Sequence, residues 1–135
     1  MMVGIDTNVL LYSLDSDSPF HEESREALAA LVQEQSAVLT QQNLVELAVA
    51  LTRRGVEPET AESCLRDFSA AMPVLRPTNE SLELFMKHLK ASLIKGLRLF
   101  DLYLAATLMS NGINLIYTYN ERDFQGIEGL RIWRP

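Results

Sequence analysis

The sequence predicts an α/β fold in which helices cover a mostly parallel sheet. Short apolar segments alternate along the chain with longer segments whose apolar residues recur at helical spacing. Clusters of turn residues separate these segments, and no internal repeat or low-complexity tract is present. This alternation is typical of strand–helix–strand units, which bury a parallel sheet between helices. Ligands of such sheets bind at the carboxyl ends of the strands.

The first half of the chain contains two predicted strands and three predicted helices. Thr40 is a candidate N-cap for the third of these helices, and Gly55 is a C-terminal stop signal for it. In order, the elements are a strand from Val3 to Asp6, helices from Asn8 to Leu14 and from Phe20 to about Gln35, a strand from Ala37 to Leu39 and a helix from Gln41 to about Arg54.

The second half adds three predicted helices and three predicted strands. Pro58 suits the first turn of a helix, Pro73 interrupts a short strand, and Asn111 with Gly112 ends the last helix. The elements are a helix from Pro58 to about Ala70, a strand from Met72 to Leu75, helices from Thr78 to about Ile94 and from Leu102 to Ser110, and strands from Asn114 to Thr118 and from Arg131 to Trp133.

The composition indicates one soluble domain spanning residues 1–135. Hydrophobic residues make up 47% of the chain and charged residues 22%, as in ordinary globular proteins. Cys64 is the only cysteine, which excludes an internal disulfide and fits a reducing compartment. The N-terminus lacks the basic residues of a secretory signal, and no apolar run reaches the roughly 18 residues of a membrane span. We therefore expect a cytoplasmic protein without a membrane partner.

The formal net charge of −6 limits how this chain could act on nucleic acid. An acidic surface does not attract a polyanion over long distances. The sequence also lacks a Ser/His/Asp arrangement, a CxxC pair and a glycine-rich phosphate loop. A reaction on a phosphate group would therefore need positive charge that the chain itself lacks, and we expect bound metal ions to supply it.

Glu46 is an unusual acid because its helix is apolar nearly all round. Such a helix is usually buried, and none of the residues one turn away from Glu46 is a Lys or Arg. A buried carboxylate without a partner is costly unless it is neutral, paired or bound to a metal. The alternative is that Glu46 reaches solvent or meets an Arg from another element.

Asp6, Asp101 and Asp123 also follow or interrupt apolar elements. Taken alone, Asp6 and Asp101 could be helix caps and Asp123 could be a solvated loop residue. Together with Glu46 they form a set of carboxylates, of which two lie at expected strand ends. Carboxylates suit Mg²⁺ or Mn²⁺, and bound metals can activate water and hold a phosphodiester. We predict that all four are metal ligands and catalytic residues.

Four motifs in this sequence resemble those of the PIN domain family. Val3 to Leu10 resembles the opening strand, Asn43 to Glu46 the second motif, Leu99 to Ala106 the third, and Thr118 to Phe124 the fourth, Thr-x-Asn-x-x-Asp-Phe. Each motif alone is weak, but the four in this order and spacing are specific and cover the whole chain. The resemblance is strongest to VapC-like ribonuclease toxins of type II toxin–antitoxin pairs.

This resemblance implies a PIN-like three-layer α/β/α fold and an endoribonuclease that depends on Mg²⁺ or Mn²⁺. It also implies a homodimer that a small cognate antitoxin holds inactive. Thr118 and Asn120 correspond to polar positions that support the site and contact the substrate. Many relatives carry an acid at the position of Asn120, and its absence here favours one metal over two.

One basic segment offers a contact for RNA. The stretch from Met86 to Phe100 contains no acid and carries Lys87, Lys90, Lys95 and Arg98. We predict that Lys95 and Arg98, which lead directly to Asp101, bind RNA phosphates, although an ordinary solvated helix face would look the same. The alternative function is a non-catalytic PIN-like RNA-binding or scaffold module. The four intact carboxylates favour the enzyme, since a scaffold has no reason to keep their mutual repulsion.

Overall fold

The computed structural model describes residues 1–135 and contains one five-stranded sheet in which every neighbouring pair of strands is parallel. The strands are β1 Val3–Ile5, β2 Ala37–Thr40, β3 Val74–Leu75, β4 Leu115–Tyr117 and β5 Arg131–Trp133. Their spatial order is β3-β2-β1-β4-β5, so the first strand lies at the centre. The chain extends the sheet first to one side of β1 and then to the other, which leaves a crevice between the carboxyl ends of β1 and β4.

Six helices cover the two faces of the sheet. They are α1 Thr7–Leu14, α2 His21–Gln33, α3 Gln41–Arg53, α4 Pro58–Ala71, α5 Ser81–Ala91 and α6 Leu99–Ser110, with 3₁₀ turns at Gly96–Arg98 and Glu121–Asp123. Side chains from α1 to α4 pack in a cluster of 14 buried residues on one face. Side chains from α6, with α5 packed against them, form a cluster of 10 on the other face. The predicted three-layer α/β/α arrangement is therefore confirmed.

The central strand distributes its residues between the two faces. Val3 and Ile5 are fully buried in the larger cluster. Gly4 points to the opposite face, because successive strand residues alternate in direction. A Cβ atom at Gly4 would lie 2.5 Å from a methyl carbon of Leu108, so only glycine lets α6 pack this closely on β1.

Two helices, α5 and α6, differ from their predicted bounds by three residues at one end or at both. Helix α6 begins at Leu99 rather than Leu102, because the 3₁₀ turn leads directly into it. Helix α5 was expected from Thr78 to Ile94 and is shorter. At its start, the hydroxyls of Thr78 and Ser81 accept hydrogen bonds from nearby backbone amides, which favours a turn over another helical residue.

Helix α3 is not buried all round, contrary to the prediction. Leu47 and Leu51 face the core, but Val45 and Val49 are 64% and 50% exposed. No other element of the chain covers this apolar side of the helix. Glu46 therefore lies at the boundary between core and solvent, and it is half-buried rather than buried. No helix in the structure has both the length and the apolar character needed to cross a bilayer.

Candidate active site

The predicted acids lie around the crevice at the carboxyl edge of the sheet. Asp6 directly follows β1, and Asp123 ends the 3₁₀ turn that comes after β4. Glu46 projects from α3, and Asp101 lies in the first turn of α6. The charges of the other three raise the pKa of Asp101, so the four side chains share one electrostatic environment.

Asp6 is the most deeply buried of the four, with 6% of its surface exposed. It is the N-cap of α1, and its Oδ1 accepts a hydrogen bond of 2.8 Å from the backbone amide of Thr7. Its Oδ2 accepts one of 2.7 Å from the hydroxyl of Thr118. Burial nevertheless raises the pKa of Asp6 to about 6. The two hydrogen bonds lower this pKa, whereas the charges of Glu46 and Asp123 raise it further.

A short hydrogen-bonded chain positions Glu46. The Thr7 hydroxyl donates to Glu46 Oε1 over 3.1 Å and accepts from Asn43 Nδ2 over 3.1 Å. Asn43 is itself fixed because it forms a capping box with Thr40 at the start of α3. No ion pair involves Glu46, and burial raises the pKa of its carboxyl. The sequence left open that Glu46 meets an Arg from another element, and no such ion pair is present in the structure.

The pKa of Asp101 is raised further than that of Asp6. Burial and the neighbouring charges of Asp6, Asp123 and Glu46 raise its pKa to about 7, while Arg98 opposes the shift. It is not the N-cap of α6, a role that the sequence left open, because it is the third residue of that helix. Its carboxyl instead projects from the first turn, where the helix dipole favours a negative charge.

Asp123 is the only one of the four that forms an ion pair. The Arg98 guanidinium lies 3.1 Å from Asp123 Oδ1, and it also approaches the carbonyl oxygen of Arg122 at 3.5 Å. This pair is half exposed, so it contributes at most about 1 kcal/mol to stability. Arg98, predicted as a substrate-binding residue, therefore lies at the edge of the carboxylate cluster.

The other predicted substrate-binding residues have different surroundings. Thr118 is buried, and its hydroxyl joins Asp6 to the backbone amide of Asn120. The side chain of Asn120 is exposed and has no hydrogen-bond partner within the chain. Lys95 is exposed and makes no ion pair or side-chain hydrogen bond, so the structure does not join it to the four acids.

Residues that the sequence did not single out complete the site. Thr7 and Asn43 orient Glu46, and Gln42 Nε2 donates a hydrogen bond of 2.6 Å to the carbonyl oxygen of Phe100, which ties α3 to the start of α6. Asn8 accepts a hydrogen bond from the amide of Tyr119, while its own Nδ2 is buried without a partner. Thr7, Asn8 and Asn43 lie in stretches that resemble PIN family motifs, whereas Gln42 had no signal in the sequence.

The donor set fits the chemistry of a hard divalent cation. Asp6, Glu46 and Asp101 are carboxylates without a cationic partner, and such oxygen donors suit Mg²⁺ or Mn²⁺. As the side chains stand, however, no three acidic, histidine or cysteine groups are close enough together to hold an ion. The pairing of Asp123 with Arg98 keeps one predicted ligand partly neutralised.

A family model described as the PIN domain matches residues 3–130. The chain is 29% identical over 143 residues to Ribonuclease VapC24 of Mycobacterium tuberculosis (strain CDC 1551 / Oshkosh), and the match covers 99% of this chain and 97% of that protein.

Solved structures share the fold at lower identity. Mycobacterium tuberculosis VapC20, described as a sarcin-ricin loop cleaving toxin, superposes with a TM-score of 0.78 at 17% identity, covering 98% of this chain and 99% of that one. VapBC2 from Rickettsia felis, bound to a DNA fragment from its promoter, gives a TM-score of 0.76 at 18% identity, covering 98% of each chain. At such identities the likeness concerns the fold. The family model, in contrast, matches almost the whole chain, and the protein therefore belongs to the PIN domain family.

Proposed function

We propose that this protein is a metal-dependent endoribonuclease and the toxin of a type II toxin–antitoxin pair. The observation that carries the proposal is the set of four carboxylates at one end of the sheet, three of them without a cationic partner. Such a set costs stability in the free protein, which a purely structural role would not explain. The similarity to Ribonuclease VapC24 and to solved VapC proteins supports the choice of RNA as substrate.

Asp6, Glu46, Asp101 and Asp123 would hold one Mg²⁺ or Mn²⁺, with a second ion less favoured because Asn120 is not an acid. The ion would lower the pKa of water and would stabilise negative charge on the phosphodiester oxygens. Thr7 and Thr118 would keep Glu46 and Asp6 oriented, since their hydroxyls already bind these carboxylates in the free protein. The chain supplies no histidine or lysine pair at the site, so a carboxylate would accept the proton of the attacking water.

The expected reaction is hydrolysis in which water attacks phosphorus and the 3′-oxygen leaves. The bond from phosphorus to that oxygen breaks, and the products carry a 5′-phosphate and a 3′-hydroxyl. A 2′,3′-cyclic phosphate would instead mean that the 2′-hydroxyl of the RNA attacks. Analysis of product ends therefore tests the mechanism separately from the activity.

Arg98 and Lys95 would contact RNA phosphates beside the carboxylates. Arg98 lies at the rim and is 51% exposed, so a phosphate could take the place of Asp123 on its guanidinium. Replacing both residues by alanine should weaken binding across RNA sequences and reduce the salt dependence of the affinity. RNA affinity that stays unchanged in the double variant would contradict this assignment.

A small antitoxin would bind along the exposed side of α3. Val45, Val49 and Phe100 line an open cleft of about 650 Å³ there, with Glu46 at its border. This cleft offers apolar contacts next to carboxylates, which suits a partner segment with apolar residues and a cationic side chain. The solved VapBC and FitAB complexes that share this fold support an antitoxin partner.

A homodimer would cover a second apolar surface. Leu82, Met86 and Leu89 follow one another at helical spacing on α5 and are 56%, 41% and 39% exposed. Neighbouring exposed apolar side chains of this kind offer a surface for a symmetric contact with a second copy of the chain. Sedimentation of the parent and of a Met86→Glu variant would test it, since a charge on this surface should shift a dimer towards monomer.

The decisive experiment incubates the purified chain with a panel of RNAs and Mn²⁺ or Mg²⁺, with chelator and with an Asp101→Asn variant. We expect cleavage that requires the metal, falls by at least two orders of magnitude in the variant and leaves 5′-phosphate ends. Asp67→Asn is a matched control, because Asp67 is an exposed acid on α4. Cleavage that survives chelation would refute metal dependence. RNA binding without cleavage in any metal would favour the scaffold alternative.

A further inference from the structure

A second cleft opens beside the carboxylates, on the side of the crevice away from α3. It has a volume of about 770 Å³, within the range of about 300–1,000 Å³ that is usual for small-ligand sites. The loop after β4, the end of the chain after β5 and the start of α2 form its walls. Asp123, Thr118 and Asn120 line this cleft as well as the candidate active site, so the two sites are continuous.

Aromatic rings form one part of the wall. Phe20 is 40% exposed and stacks on Tyr119 with a centroid distance of 4.4 Å and an interplanar angle of 25°. The position of Tyr119 is fixed, because its hydroxyl lies 2.6 Å from the Tyr117 hydroxyl and donates to Glu23 over 2.8 Å. Trp133, half-buried, packs edge-on against Tyr117. The cleft thus presents rings that are already ordered.

The polar groups of the cleft suit a nucleotide rather than an apolar ligand. The side-chain amides of Asn120 and Gln125 have no hydrogen-bond partner within the chain, and such amides can bind the edge of a base. Each acid in the cleft already has a partner. Glu23 accepts a hydrogen bond from the hydroxyl of Tyr119. Glu121 forms a bidentate ion pair with Arg134, and Asp123 forms an ion pair with Arg98.

Arg122 is the cation of this cleft that has no acidic partner. It is exposed and makes no ion pair, so its guanidinium can meet a phosphate. A site that combines ordered aromatic rings, unpaired amides and a free guanidinium has the elements that single-stranded RNA-binding proteins use for one nucleotide. Glu121 and Asp123 repel that nucleotide less because arginines already pair with them, whereas Glu23 is bound only by a neutral tyrosine hydroxyl.

We infer that this cleft binds one base of single-stranded RNA, next to the phosphodiester that is cut, and that it contributes to the choice of cleavage site. The inference rests on the proposed ribonuclease function and adds a base-binding subsite to it. Phe20 supplies the stacking surface, Asn120 and Gln125 face the base edge, and Arg122 meets the adjoining phosphate.

The test uses single-stranded oligoribonucleotides of mixed sequence with one 2-aminopurine, moved stepwise along the strand, and Ca²⁺ in place of Mg²⁺ to slow cleavage. Stacking on a ring quenches 2-aminopurine fluorescence. We expect quenching concentrated at one position, and its loss in Phe20→Leu with about tenfold weaker binding, since stacking strengthens the binding of one base by roughly 5- to 150-fold. Phe20→Tyr keeps a ring and should keep the quenching.

Phe100→Leu is the matched control, because Phe100 is an exposed phenylalanine that lines the other cleft. Equal loss of quenching in Phe20→Leu and Phe100→Leu, or none in either, would overturn the subsite. If Phe20→Leu fails to fold, Gln125→Ala, at an exposed side chain, should still change the base preference at that position, and an unchanged preference would overturn it.

Failure of the subsite can be told from failure of the proposed function. A parent protein that cleaves RNA with no preferred quenching position overturns the subsite and leaves the ribonuclease standing. A Phe20→Leu variant that binds RNA normally but loses a small protein partner would reassign the cleft to that partner and overturn the inference. A parent that neither binds nor cleaves any RNA would overturn both.

Discussion

Replacing Asp6 by Asn should change the stability of the metal-free protein with opposite signs at acidic and alkaline pH. Asn has the same shape and is also a good N-cap, so α1 keeps its cap. The substitution removes a charge from a side chain that is almost completely buried, and it also removes one of two acceptor oxygens. The first effect depends on pH, and the second does not.

The effect of removing the Asp6 charge can be estimated from the pKa of its carboxyl. Burial raises the pKa of Asp6 from 3.8 to about 6, and about two pKa units at 1.36 kcal/mol each give roughly 3 kcal/mol. Because the folded-state pKa is raised, the charged carboxyl destabilises the native state above the folded pKa. This cost disappears as pH falls through about 6 towards the unfolded value. Loss of one acceptor from the Thr7 amide or the Thr118 hydroxyl costs about 1–2 kcal/mol at every pH.

Asp6→Asn should therefore be about 1–2 kcal/mol more stable than the parent near pH 8 and about 1–2 kcal/mol less stable near pH 4. Urea denaturation across this range, in chelator, measures the difference in free energy of unfolding. Asp67→Asn, at an exposed acid on α4, should show a small difference with no crossing. A variant that is weaker than the parent at every pH would refute the argument that the Asp6 charge is costly.

Three other substitutions test the site and the packing beneath it. Glu46→Gln should leave the metal-free protein at least as stable near pH 7, because burial raises the pKa of Glu46. The variant should also gain less stability than the parent from added Mn²⁺. A loss of several kcal/mol in chelator would instead indicate a buried ion pair. Asn43→Ala should cost about 1–3 kcal/mol and reduce cleavage, since it breaks the capping box and releases Thr7; normal cleavage would contradict the positioning role. Gly4→Ala should cost about 1–3 kcal/mol in the same denaturation assay, because its Cβ would meet Leu108, and a variant of unchanged stability would mean that α6 can move aside.

The order of strands and helices could be read from the sequence because periodicity is a local property. Apolar runs such as Val3 to Ile5 and the helical spacing of Ala27, Leu28 and Leu31 report which side of an element is buried, whatever it packs against. The four acids also stood out locally, since each interrupts or follows an apolar segment. A sheet with parallel strands then implies that residues after β1 and β4 meet at one edge.

Only the tertiary structure decided which neighbours these acids have. Thr118 reaches Asp6 across 112 residues and Thr7 reaches Glu46 across 39, and the spacing of residues along the chain carries no signal for such pairs. The apolar stretch around Glu46 suggested a buried helix, because a sequence pattern cannot say whether another element covers Val45 and Val49.

The same holds for Arg98 and for the aromatic cleft. Arg98 belonged to a basic segment in the sequence, but its ion pair with Asp123 depends on how the turn before α6 meets the turn after β4. Phe20 is far along the chain from Tyr119 and Trp133, and the three share a wall only because β4, β5 and the start of α2 converge at one end of the molecule. The sequence determined the acids and the elements that carry them, while packing between distant elements determined their partners and charge states.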